Sequence, residues 1–345
     1  MIDEKKLEEI RKNLLSSNRP LFLFDDDPDG LCSFLMLYRF VKNGNGWPLK
    51  GSAVDEKIAE KVNNYQPDLV VILDKAIVRD EFFDNVSAKI IWIDHHEPVE
   101  IKNKNITYLN PRVFDDEDNS ATSYCCYRIV NQDLWLATIG MIGDWQMISD
   151  EMFEEFVNEY PSLLNSKDIK VALFENEIGK LIKIFSFNLK GKSEDVISSI
   201  KILSRVENPL QILNGESAQT RLLLKRFEKH NLAYENLLNR VGEPSEEKLF
   251  VFTYNSNENS YTTYLSNELL QKYPNKIVIV ARQSGDSYKC SLRSENIAIA
   301  PILEKVLSQI NGEGGGHANA CGAVIKTEQF ESFLDLFREE LKNYE

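Results

Sequence analysis

The chain lacks most features that would assign it quickly. Its five cysteines, Cys32, Cys125, Cys126, Cys290 and Cys321, are odd in number and show no C-x-x-C spacing. That argues against a disulfide scaffold and a zinc knuckle, and favours reduced thiols in a cytoplasmic setting. No apolar run approaches the ~18–20 residues needed to cross a bilayer, so no membrane partner is expected. The N-terminal stretch MIDEKKLEEIRKNLL is a charged amphipathic helix pattern without the apolar core of a signal peptide. There is no excess of basic charge. The formal net charge is −14, from 40 basic and 54 acidic residues, which disfavours coating of long duplex DNA by charge alone. No internal repeat and no low-complexity tract interrupt the chain.

What is present is enough apolar material for sizeable cores: 43% of 345 residues. That length exceeds one typical domain, so two compact domains are expected. Three short apolar runs, LFLF (21–24), LVVIL (69–73) and KIIWI (89–93), are continuous, as in strands covered on both faces. Helical patterns separate them. One has Leu31, Phe34, Leu35 and Tyr38 on a single face and stops at Asn43-Gly44. Strand and helix in alternation predict an α/β fold with a doubly wound parallel sheet over residues 1–150. Residues 151–242 carry helical spacing and no strand signal, and read as a helical bridge. Residues 243–345 read as a smaller α/β domain, with strands near 248–254, 276–283 and 287–294, and a final helix over 328–343.

Each of the three apolar runs ends in aspartate: Asp25, Asp74 and Asp94. In a parallel sheet these ends share one edge, where open α/β sheets bind ligands. The first is part of FDDDPDG, four carboxylates (Asp25, Asp26, Asp27, Asp29) within five positions. Such crowding suits a divalent cation with hard oxygen ligands; the plain alternative is a solvated turn in which Asp29 caps the next helix. Gly30 permits a tight turn, and Ser33 follows within the helix. In WIDHHEP (92–98), His95 and His96 account for two of only four histidines. Imidazole with carboxylate favours manganese, zinc, iron or cobalt over calcium. Extended geometry would send the two rings to opposite sides, which a strand-terminal turn would relax, and the simplest division is one ring on metal and one on substrate; a surface pair is the alternative. In ATIGMIGDW (137–145), Gly140 and Gly143 allow close helix packing that brings Asp144 toward the same crevice. In GEGGGHANACGA (312–323), consecutive glycines offer backbone N–H groups to an anion, and HANACGA reads as a helix start. Ser291 and Arg293 end a strand of the same domain and can offer a hydroxyl and a guanidinium to phosphate.

Taken together and in this order, these motifs resemble the DHH-type phosphoesterases, in particular the RecJ-like exonuclease and oligonucleotide phosphodiesterase branch that carries a DHHA1 domain. The resemblance spans roughly 20–145 and 246–325. Asp94-His95-His96 and Gly314-Gly315-Gly316-His317 are its most specific parts. It implies a DHH domain, the helical bridge and a DHHA1 domain. It further implies two divalent ions, with manganese expected and magnesium or cobalt as substitutes, bound by Asp25, Asp27, Asp29, Asp74, His95 and Asp144. Asp74 would bridge them and His96 would contact the scissile phosphate. Asp94 belongs to the same catalytic signature. Ser291, Arg293, Gly314, Gly315, Gly316 and His317 would hold substrate. Many relatives carry histidine at the position of Asp25, while the RecJ type carries aspartate. Lys75, directly after Asp74, is less usual in the family.

The implied activity is hydrolysis of single-stranded DNA or RNA, or of short oligonucleotides, by a hydroxide that the two metals activate. DNA repair is the implied context, with a replication or repair protein as a further partner. Two other classes stay open: a cyclic-dinucleotide or nucleotide phosphoesterase, and a scaffold like Cdc45 with little activity. Retention of the acidic residues speaks against the last.

Overall fold

The computed structural model describes residues 3–51, 53–101, 103, 105–255 and 259–344. The chain forms two compact units, one running to Phe227 and the other starting at Glu228. Among the described residues no helix is long and apolar enough to cross a membrane. All five cysteines are buried free thiols.

The first unit is built on a five-stranded, all-parallel sheet in the order β2-β1-β4-β6-β7. Its strands are β1 (Pro20–Asp25), β2 (Asn45–Leu49), β4 (Leu69–Leu73), β6 (Lys89–Ile93) and β7 (Ile106–Leu109); β3 (Ala53–Val54) and β5 (Ile77–Val78) pair separately. Helices α1 (Glu4–Ser16), α2 (Pro28–Val41), α3 (Glu56–Tyr65), α4 (Asp80–Asn85), α5 (Thr122–Val130) and α6 (Leu134–Gly143) accompany it. The three apolar runs are its central strands, and two edge strands complete it.

Period-two alternation divides the central strands between two faces. Leu21, Leu23, Val70, Ile72, Ile90 and Trp92 pack with Ala59 and Val62 of α3 and Phe82 of α4. On the other face Phe24 stacks on Phe34 of α2, with ring centroids 4.6 Å apart. The chain leaves β1 through α2 to β2 on one side, then crosses to β4 on the other. Strand order therefore reverses between β1 and β4, and the crevice at such a point lies beyond the strands' C-terminal ends. Asp25 and Asp74 end those two strands.

The remainder of the unit is helical: α7 (Asp150–Glu159), α8 (Ile169–Phe174), α9 (Glu177–Asn188), α10 (Ser193–Leu203), α11 (Pro209–Leu213) and α12 (Ala218–Leu238). The division between the two units falls inside α12.

The second unit has a mixed sheet in the order β11-β12-β10-β9-β8. Its strands are β8 (Leu249–Asn255), β9 (Ile277–Ser284), β10 (Ser287–Arg293), β11 (Gly312–His317) and β12 (Ala320–Lys326). β8 and β9 are parallel and the other pairs antiparallel. Helices α13 (Thr262–Lys272), α14 (Ala300–Leu307) and α15 (Phe330–Leu341) cover it. Its core joins Ile279, Leu292, Ala323 and Ile325 to Phe333 and Phe337 of α15.

One local expectation is overturned here. HANACGA does not start a helix. It runs from the last residue of one strand through the turn into the second strand of a hairpin, with Gly316 opposite Cys321 and His317 opposite Ala320. The reason lies in periodicity: Cys321, Ala323 and Ile325 are buried while Gly322, Val324 and Lys326 are exposed, a period of two that no helix satisfies. The glycines form the edge strand of the sheet, so an anion there would meet strand edge and not a helix N-terminus.

Candidate metal centre

The site is assembled from the loops that follow β1, β4 and β6 and from the ends of two helices. After β1 the chain turns at Asp27, whose Oδ1 caps α2 by accepting the Gly30 N–H at 2.9 Å. The cap is thus Asp27 and not Asp29. A Cβ on Gly30 would sit 2.7 Å from the carbonyl oxygen of Asp25, so the turn requires glycine. Asp29, one residue earlier in α2, is buried. Its two carboxylate oxygens accept the backbone N–H groups of Thr122 and Ser123, each at 2.9 Å. Those donors begin α5, where helix N–H groups favour an anion. Thr122 and Ser123 carried no motif of their own in the sequence, but the helix start at SATSY was a signal that could have found them.

Asp74 follows β4 with φ of +57°, a left-handed conformation that aspartate tolerates better than most residues. Its N–H donates to Ile93 O at 3.0 Å, and Thr122 Oγ1 lies 3.3 Å from its Oδ1. His95 follows β6, with Nε2 3.4 Å from Asp74 Oδ1 and 3.5 Å from Asp144 Oδ2. Asp144 caps the C-terminal end of α6. That helix comes close because Gly140 faces Ser123: a Cβ there would lie 2.5 Å from Ser123 Oγ and 3.1 Å from Asp29 Oδ1.

Among the described residues two groups of donor atoms have members all within 4.8 Å of one another: Asp74 with His95 and His96, and Asp29 with His95 and Asp144. Asp25, expected in the same set, is engaged otherwise. Its Oδ1 lies 3.2 Å from Lys75 Nζ and accepts the Asp26 N–H at 2.8 Å.

The electrostatics record the crowding. Burial, with the charges of Asp74, Asp25 and Asp29, pushes the Asp27 carboxyl well above the usual range. Burial, then Asp74 and Asp144, lift Asp29 to about 8. Burial lifts Asp25 to about 7 against the pull of Lys75, and Asp144 to about 6 against that of His95. For His95 burial acts downward, but hydrogen bonding to Asp74 and the charges of Asp144, Asp74 and Asp29 outweigh it and raise the ring to about 11. Asp74 alone among these carboxylates is held low, because His95 and His96 outweigh its burial. So many carboxylates at this spacing balance their charge by keeping protons or by taking a cation. Hard oxygen donors with one imidazole fit a divalent ion of the manganese type.

His96 is arranged differently. Its Nδ1 is 2.9 Å from Asp94 Oδ1 and its own N–H donates to Asp94 Oδ2 at 3.0 Å. Asp94 is fully buried. Burial alone would lower the His96 ring, but the Asp94 hydrogen bond and charge raise it. Asn110, which no motif singled out, donates to His96 O and to Tyr108 Oη, each at 2.9 Å. The two histidine rings lie 4.6 Å apart. They are neighbours and not on opposite sides of the chain, because the strand has already ended at Ile93.

In the second unit the register gathers the other predicted residues. Arg293 pairs with Ala320 and Ala320 with His317, in one row across three strands; Ser291, Gly322 and Gly315 form the row two residues away. Residues opposite one another share a face, so Ser291, Arg293 and His317 lie on one side. Among the described residues Arg293 is held by neutral acceptors: Asn267 Oδ1 at 2.8 Å, Leu292 O at 2.9 Å and Cys321 O at 3.3 Å. Burial lowers its guanidinium to about 10. Ser291 Oγ is 2.9 Å from Ser266 Oγ of α13.

Two family models match the chain. Residues 22–154 match the family model for the DHH family, N-terminal domain, and residues 246–343 match that of the DHHA1 domain. An uncharacterized protein of Methanocaldococcus jannaschii is 25% identical, over 81% of this chain and 82% of that one. RecJ of Thermus thermophilus in complex with Mn2+ superposes with a TM-score of 0.72 at 16% identity, covering 98% of this chain and 55% of that one. This chain thus spans about half the length of that RecJ. An exonuclease RecJ bound to manganese gives a TM-score of 0.65 at 15% identity, over 99% and 94% of the two chains. At these identities the likeness to solved structures is one of fold.

Proposed function

From the premise that the chain belongs to the DHH/DHHA1 phosphoesterases, we propose that it is a divalent-metal-dependent phosphodiesterase acting as an exonuclease on single-stranded DNA or RNA, or on short oligonucleotides. The observation that carries this reading is the meeting of Asp29, Asp74, His95 and Asp144 at the switch point of a parallel sheet. Those residues, with Asp27, would hold the metal, manganese being the expected ion. Once bound, divalent metal supplies positive charge to the phosphoryl oxygens and lowers the pKa of an attacking water.

The chain's own groups then have distinct tasks. With Nδ1 turned to Asp94, the His96 Nε2 is the atom left to meet a phosphoryl oxygen. Asp94 fixes the ring and stabilises its protonated form, so His96 serves as a charged hydrogen-bond donor. In the second unit, Arg293, Ser291, His317 and the glycine edge strand Gly314–Gly316 would anchor a nucleotide phosphate. Arg293 suits this because its acceptors among the described residues are neutral. A repair or replication setting in the cytoplasm, with a protein partner there, is part of the same proposal.

The test uses purified protein with end-labelled DNA and RNA oligomers, in Mn2+ and in EDTA, with products resolved as ladders. A one-nucleotide ladder that needs metal is the expected result. Cleavage of equal rate in EDTA would overturn the metal dependence.

A further inference from the structure

Lys75 is fully buried, which is rare for lysine. It follows Asp74 directly, and its backbone carbonyl accepts the indole N–H of Trp92 at 3.1 Å. The side chain runs to Asp25, with Nζ 3.2 Å from Oδ1. The same ammonium donates to the carbonyl of Gly51. Asp25 Oδ1 therefore faces two donors, the Lys75 ammonium and the Asp26 N–H. Neither group of converging ligand atoms includes Asp25; they draw on Asp29, Asp74, His95, His96 and Asp144.

We propose that Lys75 is a tethered cation that takes Asp25 out of the ligand set, so that this chain holds one tightly bound divalent ion on the Asp29–Asp74–His95–Asp144 side and none on the Asp25 side. The physical ground is simple. An ammonium within hydrogen-bonding distance of a carboxylate oxygen neutralises it and repels a dication from the same place. A tethered charge also has no binding entropy to lose, so it competes at very high effective concentration. Swinging Lys75 aside would leave a fully buried ammonium without its carboxylate. The inference rests on the metal-centre reading above and goes further by assigning the number of ions and the residue that sets it.

The test counts manganese. The full chain is equilibrated with MnCl2, freed of excess ion, and analysed for metal per chain, with free Mn2+ followed by electron paramagnetic resonance. The wild type is expected to retain one ion. Lys75→Met exposes Asp25 to a second ion and is expected to retain two, or to bind the second at least tenfold more tightly than the wild type. Should Lys75→Met not fold, the double variant Asp25→Asn/Lys75→Met removes both charges together and is expected to retain one ion, like the wild type. Two ions retained by the wild type, an unchanged count in folded Lys75→Met, or loss of the ion in the double variant overturns the proposal. Failure of every form to bind Mn2+ overturns it together with the metal-centre reading, whereas two ions in the wild type overturns it alone.

Discussion

The two sheets solve the same problem, bringing chemically useful groups together, by different means. In the first unit the strands are parallel and each is followed by a crossover, so residues as distant as Asp29, Asp74, His95 and Asp144 meet at one edge. In the second unit the strands that matter are antiparallel neighbours. Ser291, Arg293 and His317 are collected in rows by two hairpin registers. The charge balance also differs. The first unit crowds carboxylates until several keep their protons. The second buries a guanidinium among neutral acceptors. One region calls for a cation and the other for an anion.

That contrast can be broken at its strongest point by Asp74→Asn. Asparagine accepts the left-handed backbone, so the fold should persist while metal retention falls. Hydrolysis is expected to drop roughly 10²–10³-fold or more, the scale of losing one preorganised group. Metal analysis and thermal unfolding accompany the rate. A variant of wild-type activity would remove Asp74 from the mechanism. Arg293→Ala and His317→Ala sharpen the other half. Each should raise KM about 10–100-fold, the worth of a charge-assisted hydrogen bond, with metal content unchanged. Lost metal in either would contradict the division between the units.

Metal and pH test the carboxylate crowding. Asp29, Asp25 and Asp144 titrate near 8, 7 and 6 in the folded chain, against 3.8 ordinarily. Their raised values mean that the folded state holds protons the unfolded chain has released, so stability without metal falls as pH rises from about 4 to about 8. His95, raised from 6.5 to about 11, continues the same trend. Asp74, held low, acts oppositely but only below its ordinary value. Calorimetry in EDTA should show this decline. Mn2+ at a hundredfold excess over its Kd should add ~2.7 kcal/mol, roughly 5–10 °C. A flat pH profile in EDTA would remove the crowding. The smallest effect expected is for Asn110→Ala, which loses the hydrogen bond to the His96 carbonyl. Activity should fall about fivefold, near 1 kcal/mol, with metal retention intact.

Much of the first unit could be read from sequence because β1, β4 and β6 are buried on both faces and end in aspartate. β2 was hidden for the converse reason. Its NGWPL contains a glycine and a proline, and as an edge strand it is only partly buried. The glycine hairpin was misread because glycine has no side chain to betray strand alternation, and the signal sat one strand later in Cys321, Ala323 and Ile325. Thr122 and Ser123 were missed because they act through backbone N–H groups, which leave no mark on residue type. Lys75 stood out in the sequence, but only the structure joins it to Asp25.

The most direct measurement is kcat/KM under Mn2+ for a mononucleotide, a dinucleotide, a cyclic dinucleotide and a longer single strand. Under the proposed function a phosphodiester is cleaved and further nucleotide phosphate contributes binding energy, so cleavage of the dinucleotide and the single strand should be faster than that of the mononucleotide. A maximum at the mononucleotide would make the protein a phosphatase, and no turnover of any of the four with Mn2+ bound would make it a scaffold; either result contradicts the account.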